Sequence, residues 1–265
     1  MSVKLTVVGC SPAWPNPGGA QSGYLVEAGV GSTEPRESEG AGFAGAGAGA
    51  KRRLLLDCGP GVLAKLRELD DGWPRIDAIV ITHWHLDHWG DLVPWVWGTM
   101  SGPGRDGAEV ELWLPPGGEA RLREFGGRLG WEEMWETAFR LREYAEGQPF
   151  EAAGLTVTAI RVPHYTLTTY GLRVTNGARS LAYSGDSGPS DRLAELARDV
   201  DLFICEATLA RGDLDGNPRG HLSADEAVAA FEASGARRLL LTHRPHELPV
   251  ADGVEQARDG LELEV

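Results

Sequence analysis

With 265 residues, 42% of them hydrophobic, the chain is long enough to bury one substantial core and reads as a single domain over 1–265. Its 39 acidic against 25 basic side chains leave a formal charge of -14. That balance argues against stable nucleic-acid binding, which needs clustered Lys and Arg, yet it is compatible with a small anionic ligand.

Residues 3–8 alternate weakly before Gly9-Cys-Ser-Pro12, and residues 22–27 form a second short apolar run, so the two read as paired strands. From about 29 to 51 the sequence narrows to Gly, Ala, Ser and Glu, with too little apolar mass to pack, and a flexible insertion at a hairpin tip is expected. Residues 53–57 resume the sheet, and Val62, Leu63, Leu66 and Leu69 draw an apolar stripe along a helix over 61–69.

A buried strand over 78–81 then delivers Ile81-Thr-His-Trp-His-Leu-Asp-His-Trp-Gly90, where His83, His85, Asp87 and His88 crowd four metal-ligand side chains into six positions. On an extended segment residues two apart point the same way, so His83 and His85 can share one cation, while the turn into a following helix swings Asp87 and His88 toward a second. A hydrated polar turn would instead leave three imidazoles and a carboxylate against a hydrophobic strand with nothing to neutralise them.

A helix is expected to begin within 91–97, followed by a strand over 110–114 and a helix over 119–129. Trp95, Trp97, Trp131 and Trp135 gather around this region, and they could form a lid, the contact of a homodimer, or ordinary core. Strands follow over 139–144 and 155–162, the second ending at Pro163-His164. Residues 170–174 and 180–183 flank the turn signal Asn176-Gly177 and lead into Ser184-Gly-Asp186. A helix over 191–198, a buried strand over 201–205, a capping box from Ser223 to Glu226 for a helix through Ala233, and a strand over 238–242 ending at His243 complete the chain. Ligand-type residues recur at strand ends, as one site on the edge of a layered α/β fold would require. Cys10, Cys58 and Cys205 stand apart with no C-x-x-C spacing, Met1-Ser-Val-Lys lacks the pattern of a signal peptide, and no run reaches the roughly 18 apolar residues of a membrane span. Buried thiols and a cytoplasmic protein are expected.

With His83-x-His85-x-Asp87-His88 followed by His164, Asp186 and His243, the chain resembles the metallo-β-lactamase fold superfamily of metallohydrolases over most of its length. The resemblance implies an α/β fold, an αββα sandwich of two mixed sheets flanked by helices, with a dinuclear site on one edge. It further implies that His83, His85 and His164 hold a first metal, that Asp87, His88 and His243 hold a second, and that Asp186 bridges both. Zinc and manganese both suit such ligands. His85 stands where oxygen-reducing flavodiiron members carry Glu, and no cysteine occupies a ligand position, which points to hydrolysis.

Gly220-His-Leu-Ser223 looks like the His-x-Ser/Thr motif of the ribonuclease Z and phosphodiesterase branch, whose extra histidine donates a proton. His221 takes that role by resemblance, since a departing alkoxide needs an acid near neutral pKa; the alternative is a turn residue ahead of a capped helix. The tRNA-processing enzymes carry a long basic arm, whereas only 21 residues separate His164 from Asp186 here. Joined to the acidic charge, this implies a small phosphodiester. Residues 184–186, 202–207 and 221–223 look similar to bacterial cyclic-nucleotide phosphodiesterases, so a cyclic nucleotide is the expected substrate, with His221, Asp87 and Asp186 at the catalytic centre.

Other hydrolases of the same fold are alternatives: an RNA nuclease, lactonase, thioesterase or arylsulfatase. So is a non-catalytic metal-holding module that binds a nucleotide or a protein, although open metal coordination is usually catalytic. Glu206 and Asp57, each at a strand end, are candidates to orient a ligand or His221, against a solvated carboxylate for the first and simple turn initiation for the second. His246 is left without a role.

Overall fold

The structure is a computed structural model and describes residues 2–29, 51–249 and 253–265. The expected Gly/Ala-rich tip lies almost wholly outside these. The first half holds β1 (Val3–Gly9), β2 (Gly23–Gly29), β3 (Lys51–Leu56), α1 (Val62–Leu69), β4 (Ala78–Val80), α2 (Leu86–Trp89), α3 (Leu92–Ser101), β5 (Val110–Leu114), α4 (Gly118–Arg128) and β6 (Phe139–Glu143). The second holds β7 (Phe150–Ala152), β8 (Leu155–His164), β9 (Leu167–Thr175), β10 (Ser180–Tyr183), α5 (Asp191–Leu196), β11 (Leu202–Glu206), α6 (Ala224–Ser234), β12 (Leu239–Thr242), β13 (Glu255–Gln256) and β14 (Glu262–Glu264).

Two seven-stranded sheets result, in the orders β14-β1-β2-β3-β4-β5-β6 and β13-β12-β11-β10-β9-β8-β7. Both are mixed. Hairpin-linked strands such as β1 and β2 are antiparallel, whereas β3 through β6 are parallel and need helical crossovers. Alternation along the strands sorts their side chains into layers. Leu54 and Leu56 join Tyr24, Val80, Leu172, Tyr183 and Ile204 in a core between the sheets, while Leu55 turns outward to a second core under α1, α3 and α4. A third core lies between the other sheet and α5 and α6, with Phe203, Leu193 and Ala227. This is the αββα sandwich. All three cysteines are buried free thiols, and no helix among the described residues is long and apolar enough to cross a membrane.

Most expected elements appear within a residue or two of their predicted bounds, and the differences have local causes. β8 runs through Pro163 to His164 because β7 pairs only with its residues 155–157, so the missing proline donor falls where the strand has one neighbour. The reversal from β8 to β9 takes only two residues, with Tyr165 at a left-handed φ of 49°, and has no glycine or Asn-Gly signal to announce it. Trp95 and Trp135 are core, both essentially fully buried, whereas Trp97 is 46% exposed and faces Trp131 at 5.9 Å between ring centroids. Trp135 also donates its indole N–H to the Leu122 carbonyl at 2.5 Å, which ties α4 to the segment before β6.

Trp135→Ala should therefore cost about 3–5 kcal/mol, the range for removing a large buried aromatic, as measured by urea unfolding. A loss under about 1 kcal/mol would place Trp135 outside the cooperative core.

Candidate metal centre

Short, buried, parallel β4 carries the chain to the sheet edge, where Ile81 still donates to the Trp113 carbonyl before the backbone leaves the ladder. His83 and His85 follow, His85 in extended conformation at the N-cap of α2, and the single turn of that helix presents Asp87 and His88. This turn is clamped to the loop after β3 and to the residue before β2: Cys58 N donates to the His88 carbonyl at 2.7 Å and Ser22 N to the Asp87 carbonyl at 3.2 Å. Gly59 is required at that clamp, because a Cβ there would overlap the Asp87 carbonyl. The other sheet contributes His164 from the end of β8, Asp186 beyond β10 and His243 beyond β12.

These seven residues converge. Ligand atoms of His83, His85, His164 and Asp186 all lie within 4.8 Å of one another, and so do those of Asp87, His88, Asp186 and His243. Asp186 belongs to both groups and divides its oxygens between them. Oδ2 is 3.8 Å from His83 Nε2 and 3.9 Å from His164 Nε2, while Oδ1 is 3.2 Å from His88 Nε2 and 3.6 Å from His243 Nε2. Asp87 Oδ2 closes the second group at 3.3 Å from His88 Nε2 and 3.2 Å from His243 Nε2. In the first group His85 Nδ1 faces His164 Nε2 at 2.9 Å. His85 is exposed and the other six residues are buried.

Cations fit this donor set. His83 Nε2, His88 Nε2 and both oxygens of Asp186 are buried with no hydrogen-bond partner among the described residues. Such orphaned polar atoms are costly unless a charge of the right sign sits among them. Their outer partners fix the required tautomers. His88 Nδ1–H donates to Asp57 at 2.7 Å, His164 Nδ1–H to the Gly220 carbonyl at 2.6 Å, and His243 Nδ1–H to Thr208 Oγ1 at 2.8 Å. His83 Nδ1 meets Thr82 Oγ1 at 3.0 Å, and that hydroxyl donates onward to Asp57 at 2.9 Å. In each case the outer nitrogen is occupied and Nε2 is left facing the centre.

The same surroundings set the charges of the chain by itself. Burial pulls the His83 imidazolium well below the usual histidine range, and it lowers His85 and His164 as well. Burial also opposes a charged His88, but Asp186, Asp57 and Asp87 outweigh it and hold its pKa well above the ordinary value. Burial raises the carboxyls of Asp87 and Asp186, yet the adjoining imidazoles overcome it and both end up low. His83, His85 and His164 thus face ionised carboxylates as neutral imidazoles, as a divalent ion needs, and His88 would release its proton when an ion binds.

Beside this set lies His221. Its Nδ1 bonds Glu206 Oε1 at 2.9 Å, its ring stacks on His243 at 5.7 Å, and it stands 4.9 Å from the His164 ring. Burial depresses the imidazolium, but Glu206 more than compensates and pushes it up to about 9. Glu206 is not a solvated carboxylate: it is fully buried and also accepts from Ser187 N, Thr208 N and Thr208 Oγ1. Asp57 likewise does more than start a turn. Buried at a left-handed φ of 59°, it receives His88, Thr82 and the Tyr183 hydroxyl. Thr82, Thr208 and Tyr183 carry no spacing signal in the sequence and emerge only from these contacts. His246 is exposed and pairs with Glu247 at 3.2 Å, away from both groups of ligand atoms.

Asp57→Ala should lower resistance of bound metal to a chelator roughly ten- to a hundredfold, as for other lost outer partners. Asp186→Ala should lose metal by elemental analysis in a folded protein. Full occupancy in Asp186→Ala would contradict the shared position of that carboxylate.

A family model described as the beta-lactamase superfamily domain matches residues 52–244, most of the chain and every residue of the two groups. The uncharacterized protein Rv1339 of Mycobacterium tuberculosis is 34% identical over 261 residues, covering 97% of this chain and 86% of that one. The probable metallo-hydrolase YhfI of Bacillus subtilis is 31% identical over 248 residues, covering 92% and 88%. The crystal structure of YhfI superposes with a TM-score of 0.79 over 100% of both chains at 26% identity. A ribonuclease Z of Mycobacterium bovis is 29% identical over 264 residues, covering 91% and 85%. The matched residues, the two facing mixed sheets and these relatives together show that the chain belongs to the β-lactamase superfamily, as a metallo-β-lactamase-fold hydrolase of the kind that includes ribonuclease Z.

Proposed function

We propose that the protein is a phosphodiesterase acting on a small phosphodiester, a cyclic nucleotide above all, at a centre where His83, His85, His164, Asp87, His88, His243 and Asp186 hold two divalent ions, zinc or manganese. The observation that carries this proposal is the Glu206–His221 pair set against His243. A histidine whose Nδ1–H is fixed by a buried carboxylate keeps its other N–H free to give away, and Glu206, outweighing the cost of burial, favours the protonated ring. Alkoxide leaving groups such as a ribose oxygen require such a donor.

When bound, the ions supply Lewis acidity at a phosphoryl oxygen and a water of lowered pKa. The chain's own residues do the rest. Asp186 and Asp87 gather negative charge at the floor of the site, the outer bonds from Asp57, Thr208 and the Gly220 carbonyl keep the imidazoles aimed, and His221 protonates the departing oxygen while Glu206 steadies the imidazolium. Two features favour a small substrate. The 21 residues between His164 and Asp186 are taken up by β9, β10 and short turns, which leaves no room between these two residues for an arm to grip a folded RNA, and the charge of -14 repels long polyanions. A ribonuclease Z, by its name, acts on RNA, which is a phosphodiester, and this supports the reaction class.

His221→Ala should keep metal content and fold while kcat on 3′,5′-cyclic AMP, whose leaving group is a ribose oxygen, falls by about two or more orders of magnitude. Bis-p-nitrophenyl phosphate, whose leaving group is already a stable anion, should suffer much less. Equal losses on both would remove His221 as the donor. Stripping the metal should abolish turnover, and zinc or manganese should restore it. Faster turnover of a lactone, thioester or sulfate ester than of any phosphodiester would overturn the substrate class.

A further inference from the structure

We infer that Asp215 is a positioning residue that, through the peptide of Gly220, holds the proton donor His221 and the imidazole of His164 in one fixed relation; for the donor's role this rests on the phosphodiesterase proposal above. Asp215 lies in the segment between β11 and α6, and its side chain is only 4% exposed. One oxygen, Oδ2, accepts from Gly220 N at 2.7 Å and from His221 N at 2.9 Å. The other, Oδ1, accepts from the Tyr165 hydroxyl at 3.0 Å and from Gly216 N at 2.8 Å.

Gly220 is the hub of this arrangement. Its N–H is held by Asp215, its carbonyl receives His164 Nδ1–H at 2.6 Å, and its next residue is His221. One peptide thus sets the tautomer of a residue in the first ligand group and the starting point of the donor side chain. Tyr165 seals it from above. Its ring occupies the space that a Cβ on Gly220 would need, its backbone N–H donates to the Arg219 carbonyl at 3.1 Å, and its ring lies 4.9 Å from His164 and 5.6 Å from His221. The left-handed φ of Tyr165, uncommon for a residue with a side chain, is what brings that ring there. On the far side of His221, Arg219 donates to its carbonyl at 3.0 Å and is itself paired with Glu226, the capping-box residue of α6. Both peptides flanking the donor are therefore pinned, the first of them by Asp215.

A loop-closing aspartate needs only one or two acceptor contacts. Here both oxygens are used twice, and all but the Gly216 contact lead to the donor, the ligand or the ring beside them. An asparagine cannot keep all four contacts, because its amide nitrogen would face the Gly220 and His221 N–H groups in one orientation and the Gly216 N–H in the other, where only the Tyr165 hydroxyl can turn round and accept.

The test is Asp215→Asn in the full-length, metal-loaded protein. Hydrogen exchange at the Gly220 and His221 amides should quicken about tenfold or more, and the chelator concentration that strips half the metal should fall roughly tenfold. On the diester pair used for His221, kcat for cyclic AMP should drop well beyond that for bis-p-nitrophenyl phosphate, with KM little changed. Unchanged exchange and chelator resistance in folded Asp215→Asn, or equal losses on the two diesters, would overturn the inference. If the unsubstituted protein cleaves no phosphodiester, the proposed function fails by itself, and the exchange and chelator measurements still decide on Asp215. Should Asp215→Asn not fold, Asp215→Glu, which lengthens the side chain and keeps its charge, is read in the same way.

Discussion

A carboxylate buried among imidazoles with neither oxygen hydrogen-bonded is the constraint around which this molecule is arranged. Asp186 is 1% exposed, His83 and His88 each turn an unpartnered nitrogen toward it, and no backbone donor relieves it among the described residues. A site of that kind is costly to fold unless cations neutralise it, so its persistence at the sheet edge is itself a statement about chemistry. Everything next to it serves aim. Asp57, Thr82, Thr208 and the Gly220 carbonyl take up the outer imidazole nitrogens, and the backbone strain at Asp57 and His243, both at left-handed φ, sits where it keeps those contacts.

Much of this could be read from the chain before any coordinates. His83, His85, Asp87 and His88 announce themselves because four ligand side chains in six positions have no other economical explanation, and the apolar run before them locates the strand that carries them. His164, Asp186 and His243 are single polar residues at strand ends, and only their order and a family resemblance made them candidates. Local pattern found the capping box at Ser223 and the stripe on α1 because both depend on near neighbours in sequence.

What could not be read depends on distance along the chain. The bond from Tyr183 to Asp57 spans 126 residues, and that from Thr208 to His243 spans 35, so neither leaves a spacing to recognise. The turn at Tyr165 gives no signal because packing against Gly220, 55 positions later, supplies the reason for its backbone. Edge strands as short as β7, β13 and β14 have too few residues to show a period and form by adding to a sheet already built.

The two sheets do not contribute alike. His83, His85, Asp87 and His88 come from the half of the chain that builds the first, while His164, Asp186 and His243 come from the half that builds the second, and beneath them Tyr24 bonds Thr242 at 2.6 Å across the interior. Ions seated there would act as rivets through a seam, gripping both leaves of the sandwich at once. Cohesion of the leaves and ion availability then become a single thermodynamic quantity: any cation that prefers the closed seam to the open chain raises the melting temperature as its free concentration rises.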